Sequence, residues 1–446
     1  MSINMKNPKK LWSAGYGVIK HNKETQKRIA DMAKYLVKNK TVKSENEIYE
    51  KLICADRIAS SAMWIVVHQT YAKKIYWDNR HMKKSDFKSD PQGHTGGALN
   101  VVPGYIGYMT INSIMNTTRG WIMGQGHAVS AIDSSNLILG NMKQAHKKRY
   151  SLTEKGLERF LNDFYSYKID DKGDIDSPLG SHVNPNTAGG IMEGGYLGFA
   201  GLQYVHMPLP GESLVAFLSD GAWEEQRGSD WVPKWWRAED TGLVCPIMIA
   251  NGRRIDQRST MWQVDGVEPF VKHLQANSFD PMVIDGRDPA AFVWGIFESE
   301  RRLKRHVREM VTTKEYNVTL PYVIAVAPKG AGFYGEGTNP AHNLPLIENP
   351  SKSNVACERF SYHASRLFVE KSELENCVKI ISNHKESKRV LEKDNPIANR
   401  NVKIKKHCDF PCREIPKNKK ADLSIFETKS PMDAIDRIFV ETCRAN

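Results

Sequence analysis

SLVAFLSDG (residues 213–221) and VCPIMIANG (residues 244–252) decide the fold. Each is a continuous apolar run that stops at a polar residue followed by glycine. Continuous rather than alternating apolar residues mark a strand covered on both faces, which is the pattern of a parallel sheet. Three further segments fit the same type: WIMGQG at 121–126, MVIDG at 282–286 and YVIAVAPKG at 322–330. Helical stretches separate them, for example Pro289 to Met310. Strands alternating with helices predict an α/β fold, a parallel sheet with helices on both faces.

Working outward, residues 24–38 place Ile29, Met32, Leu36 and Val37 on one helical face, and residues 45–69 read as a longer helix. Together they predict an N-terminal helical arm over residues 1–54, ahead of a main domain at 55–346. Residues 347–429 are polar and lysine-rich, as expected of a linker with some helix, such as Ser361 to Ile381. Ser430-Pro431-Met432-Asp433 then combines a serine cap, an early proline and an acid for the helix dipole. The helix it opens puts Ala434, Ile435, Ile438 and Phe439 on one face, so residues 430–446 are expected to begin a further domain.

The net charge of +12 gathers partly between Lys385 and Lys420. No aromatic residues interleave with these lysines as a nucleic-acid stacking surface requires, so they read as a solvated face. The seven cysteines are odd in number and widely spaced, which argues against a disulfide framework. Cys408 and Cys412 beside His407 resemble half of a zinc site, but no second pair lies nearby, and free thiols are expected. With neither a secretory leader nor an apolar stretch of membrane length, a cytoplasmic location is expected, without membrane or nucleic-acid partners.

Asp220 and Asn251 stand at the ends of two apolar strands, 31 positions apart. In open α/β sheets ligands sit beyond the carboxyl ends of strands. Two hard oxygen donors there suit magnesium, which takes few protein oxygens and completes its shell with phosphate and water. Gly221 would let backbone approach a diphosphate closely. Taken alone, these are also two ordinary strand-end turns.

Further segments narrow the choice. Ser219-Asp220-Gly221 with Asn251 resembles the thiamine-diphosphate motif, with Ser219 in place of its first glycine. Gly93-His94-Thr95-Gly96-Gly97 and Gly124-Gln125-Gly126-His127 resemble two histidine turns of transketolases and phosphoketolases. Ser181-His182-Val183-Asn184-Pro185 and Glu193-Gly194-Gly195-Tyr196-Leu197-Gly198 resemble phosphoketolase segments. So do Pro328-Lys329-Gly330, Glu336-Gly337 and His342-Asn343-Leu344-Pro345-Leu346. From about Ala55 to Leu346 the chain resembles the N-terminal domain of the xylulose 5-phosphate/fructose 6-phosphate phosphoketolases.

The resemblance implies a thiamine-diphosphate-binding fold with two cofactors, thiamine diphosphate and Mg2+. It implies magnesium ligands at Asp220, Asn251 and the backbone carbonyl of Arg253, and diphosphate contacts at His127, Gly195 and Gly221. His94, His182, Lys329 and His342 would line a channel for a ketose phosphate, with inorganic phosphate as acyl acceptor. Histidines can move protons near neutral pH and a lysine can stabilise developing negative charge. Trp231, Trp235 and Trp236 are expected to be packing residues, and Glu224 and Glu225 lie at an altered spacing from the phosphoketolase pattern.

In the resembling family, the glutamate that meets the aminopyrimidine ring lies in the following domain. The chain is therefore expected to be a half site that needs a second polypeptide or subunit, and to form oligomers. Transketolase-like transfer, 3-epimerisation of the same ketose, and a non-enzymatic remnant or regulatory subunit stay open. The insertions around Glu224 and the loss of the usual aromatic after Gly330 favour none of them.

Overall fold

The computed structural model describes residues 7–142, 144–166, 213–224, 243–255, 257–315, 318–382, 439–440 and 443–444. His182, Gly195, Glu225, the tryptophans at 231, 235 and 236, and the His407–Cys412 cluster lie outside these residues. The chain divides into two units, Met1–Arg389 and Val390–Asn446, and every element named below belongs to the first.

Helices α1 (Pro8–Ser13), α2 (Lys23–Lys38), α3 (Glu45–Tyr71) and α4 (Thr95–Met115) precede strand β1 (Gly120–Met123). Then come α5 (Val129–Leu139), α6 (Gln144–Arg149), α7 (Glu154–Asp163), β2 (Ser213–Ser219) and the short α8 (Asp220–Glu224). Strand β3 (Leu243–Ala250) leads to α9 (Thr260–Asp265), α10 (Glu268–Ala276) and β4 (Phe279–Asp285). The first unit closes with α11 (Pro289–Thr313), β5 (Leu320–Val326), α12 (Asn354–Ser365) and α13 (Lys371–Ile381).

All five strands pair in parallel, in the order β1-β2-β3-β5-β4. Their alternate residues feed two cores, so helices cover both faces, as the apolar runs predict. Val215, Phe217, Ile247, Ile249, Val323 and Ala325 join the larger core with α3, α4 and α11. Leu218, Met248, Tyr322 and Ile324 point the other way, onto Phe270 and Leu274 of α10.

The centre of the larger core is α3, buried almost continuously from Ile48 to Tyr71. α4 is likewise buried along nearly its whole length and is apolar for the most part, as an enclosed helix is. Where α4 crosses α11, a Cβ at Gly107 would stand 2.6 Å from the Cβ of Phe292, so only glycine permits the approach.

One stretch departs from expectation. The single helix expected over Ser361 to Ile381 is two helices, α12 and α13, interrupted at residues 366–370. Their apolar faces, through Phe360, Leu374, Cys377 and Ile381, belong to the larger core. The polar composition of this stretch hides a narrow apolar stripe. Among the described residues, no helix is long and apolar enough to cross a membrane.

A buried ion pair ties the sheet to α11. Arg119, just before β1, donates to both carboxylate oxygens of Glu300, with Nη2 to Oε2 at 2.8 Å, and also to Asn112 at 2.9 Å. Removing one partner leaves a buried charge alone, which typically costs about 3–5 kcal/mol. Arg119→Met should therefore lower the denaturant midpoint sharply. Replacing Arg119 by Met and Glu300 by Leu together should recover much of the loss, and equal midpoints for single and double variants would refute this account.

Candidate active site

Parallel register builds the site. Ser219 lies opposite Ile249, and Ala250 lies opposite Val326. Asp220, Asn251 and the Ala327–Lys329 segment therefore leave neighbouring strands at one edge of the sheet. β1 delivers a fourth segment to that edge, because the Gly124 N–H donates to the Phe217 carbonyl at 2.8 Å before the turn to His127.

Asp220 is buried, and its carboxylate is held by three donors. Oδ2 accepts from the Gly252 N–H at 2.7 Å and the Ser259 hydroxyl at 3.1 Å, and Oδ1 accepts from the Gly221 N–H at 3.0 Å. Burial pushes its pKa up to about 6, although these hydrogen bonds and the charge of Lys329 oppose the rise. Asn251 turns Oδ1 toward the Arg253 N–H at 3.1 Å. The carbonyls of Arg253 and Arg254 accept from the Lys329 ammonium at 3.1 and 3.2 Å. Burial brings Lys329 down to about 8, with Asp220 acting against the shift and Arg253 adding to it.

Three histidines form one cluster beside this lysine. His94 immediately precedes α4, His127 lies in a 3-10 turn after β1, and His342 ends a 3-10 turn at Pro340–His342. His94 Nδ1 and His342 Nε2 are 3.3 Å apart, and the His94 and His127 ring centroids are 4.8 Å apart. The loops that carry them are locked together. The Thr95 hydroxyl donates to the Asn343 carbonyl at 2.7 Å, and a Cβ on Gly96 would collide with the Ala341 carbonyl at 2.2 Å.

Burial and the neighbouring Lys329 charge lower all three histidines, His127 to about 3 and His342 to about 2. At neutral pH each ring is uncharged and offers one donor and one acceptor. The cluster can therefore exchange protons with hydroxyl groups without repelling the adjacent cation.

Two residues central to this geometry escaped sequence reasoning. Asn100, buried in α4, donates to the Pro328 carbonyl at 2.9 Å and accepts from the Gly330 N–H at 3.2 Å, clasping the backbone on either side of Lys329. The same oxygen lies 3.5 Å from Asn251 Nδ2. Asn100 is one of several polar residues within α4, beside Thr110, Asn112 and Ser113, so nothing in the sequence singled it out. Ser259, the second, lies in an ordinary polar loop and gave no signal. Glu224 is spoken for structurally: it accepts from Arg254 at 2.6 Å and the Thr260 N–H at 2.9 Å, as well as from the Met261 N–H.

The sequence profile of the XFP N-terminal domain matches residues 46–401, most of the chain and all of this site. The chain belongs to that family. It is 25% identical over 333 residues to probable phosphoketolase 2 of Lactiplantibacillus plantarum, covering 70% of this chain and 39% of that protein. It is 23% identical over 372 residues to the xylulose-5-phosphate phosphoketolase of Lactiplantibacillus pentosus, covering 78% and 45%. The chain thus spans less than half the length of these relatives. Among solved structures, the transketolase of Leishmania mexicana aligns at 14% identity and a TM-score of 0.38, over 74% of this chain and 47% of that one.

Within this XFP N-terminal domain, the donor set fits a hard divalent cation: a buried carboxylate, an amide oxygen and a backbone carbonyl that keeps a free lone pair. Gly221 fits a close-lying anion. A Cβ there would meet nothing nearer than Arg254 Cγ at 3.9 Å, so packing inside the protein does not demand the glycine.

A proton would compete with any metal ion held by Asp220. Because the folded-state pKa is raised to about 6, the carboxylate protonates as pH falls through that value. Magnesium affinity measured by calorimetry should be level above pH 7 and drop roughly tenfold per unit below about 6. An affinity unchanged down to pH 5 would remove Asp220 from the ligand set.

Proposed function

We propose that this chain is the metal- and diphosphate-binding part of a thiamine-diphosphate- and magnesium-dependent phosphoketolase. The reaction is cleavage between C2 and C3 of xylulose 5-phosphate or fructose 6-phosphate, with inorganic phosphate as acyl acceptor. One observation carries the reading: the hard-oxygen set and the histidine–lysine cluster share one sheet edge in a member of the XFP N-terminal domain family.

Asp220, Asn251 and the Arg253 carbonyl would hold magnesium, with Gly221 and His127 beside the diphosphate; Gly195 is proposed as a further contact. When bound, thiamine diphosphate supplies a carbon nucleophile that then serves as an electron sink. This chain's own residues would manage protons and charge around the substrate. The neutral His94–His342 pair can accept a proton from a substrate hydroxyl at one ring nitrogen and return it from another. Lys329, held by two carbonyls, presents a fixed donor to developing negative charge on oxygen. His182 is proposed as a further member of the substrate wall.

The carboxylate that faces the aminopyrimidine ring would come from a further domain or a second polypeptide, and association is proposed on that ground. Asp220→Ala should abolish magnesium-dependent binding of thiamine diphosphate in calorimetric titration while circular dichroism stays unchanged. Unaltered cofactor affinity would sink the ligand assignment.

Combined with a polypeptide carrying the aminopyrimidine-binding domain, the chain should release acetyl phosphate from xylulose 5-phosphate, and alone it should give traces. His94→Ala and His342→Ala should then lower turnover by about 10²-fold or more. Transfer of the two-carbon unit to an aldose without acetyl phosphate would mean a transketolase, and inversion at C3 an epimerase. No turnover in any pairing would favour a regulatory or remnant role.

A further inference from the structure

The segment carrying Lys329 and His342 has a second side. Between them, residues 331–336 wall a separate cavity of about 450 Å3, within the range of small-molecule sites. Its floor is apolar, made by Val18, Met63, Leu99, Pro103 and Phe333. Its rim is polar, with Arg287, Glu336, His363 and Arg366.

These walls are fixed in place. His21 lies between two buried carboxylates, Nδ1 at 2.9 Å from Asp288 and Nε2 at 3.1 Å from Asp56, with Trp12 stacked on the ring at 4.4 Å. Burial alone would lower the imidazole, but the two carboxylates outweigh it and hold His21 at about 10. With both ring nitrogens engaged, the triad is an ionic clamp. Each arm reaches a cavity wall: His21 follows Val18 and Ile19 closely, Asp288 adjoins Arg287, and Asp56 stands two turns from Met63 on α3.

The loop is equally constrained. A Cβ on Gly332 would press on Met63 Cε at 2.6 Å, Glu336 accepts from the Gly332 N–H at 3.0 Å, and the Gly337 N–H returns to the Lys329 carbonyl at 2.8 Å.

The polar groups are unevenly satisfied. Arg287 is neutralised by Asp285, with bonds of 2.9 and 2.8 Å. Among the described residues, no carboxylate pairs with Arg366. His363 Nδ1 is buried without a hydrogen-bond partner. A cavity with an apolar floor, a guanidinium that no carboxylate pairs among the described residues and a buried imidazole nitrogen without a hydrogen-bond partner fits an organic anion. We propose that this cavity binds a small organic carboxylate, its apolar body on Val18, Leu99 and Pro103 and its anionic end at Arg366 and His363.

The test uses the full chain, with 3-phenylpropionate as probe and 3-phenylpropionamide as its uncharged isostere, titrated by calorimetry and saturation-transfer NMR. The acid should bind about tenfold or more tightly than the amide, the scale of one charge-assisted hydrogen bond. Arg366→Gln should erase that preference. Val18→Trp, which fills the floor, should remove binding of both, whereas Asp220→Ala should change neither and so separate this cavity from the metal site. Equal affinity for acid and amide, no binding of either, or an acid preference that survives Arg366→Gln would overturn the proposal. Arg366 is exposed, so its replacement tests the charge even if Val18→Trp fails to fold.

Discussion

Parallel pairing is the constraint from which the rest follows. In a parallel sheet every strand runs the same way, so every carboxyl end reaches the same edge. Here that edge receives Asp220, Asn251, Lys329 and the turn to His127 from four different strands. None of these residues is near another in sequence, except within a strand-end turn. Their meeting depends on backbone ladders in the centre of the sheet, which in turn depend on apolar cover from α3, α4 and α11 on one face and α10 on the other.

Burial also sets the electrostatics. It disfavours charge on the histidines and on Asp220 alike. The outcome is a cluster of neutral imidazoles beside Lys329, whose ammonium is bonded to backbone carbonyls rather than to a carboxylate. Backbone carbonyls hold the ammonium in place without cancelling its charge. A carboxylate partner would fix it equally well but leave less field for a substrate anion.

Much of this was legible from residue order. Strands β2, β3 and β5 are readable because both their faces are buried, which leaves no polar alternation to confuse the pattern, whereas β4 at the edge exposes Val283. His94, His127 and His342 are readable through the turns around them and not through spacing, since a single buried histidine carries no signature of its own. Asn100 was not legible. Its importance comes from facing Pro328 and Gly330, 228 and 230 positions away, and no local pattern encodes that. α12 and α13 were obscured because each carries only a few core residues on a largely polar helix. His182 and Gly195 belong to the sequence argument alone.

The clamp at His21 has a bearing on how the chain acquires its shape. The two residues that flank the imidazole lie 35 and 267 positions along the chain. Asp288 is made 267 residues after His21, so this triad cannot be completed until that length of chain has been synthesised. Contacts of such long separation close late, after loop entropy has been overcome by more local packing. A truncation ahead of β4 would remove Asp288 and leave His21 with Asp56 alone, while Trp12 keeps the ring of Tyr49 on α3 at 5.4 Å.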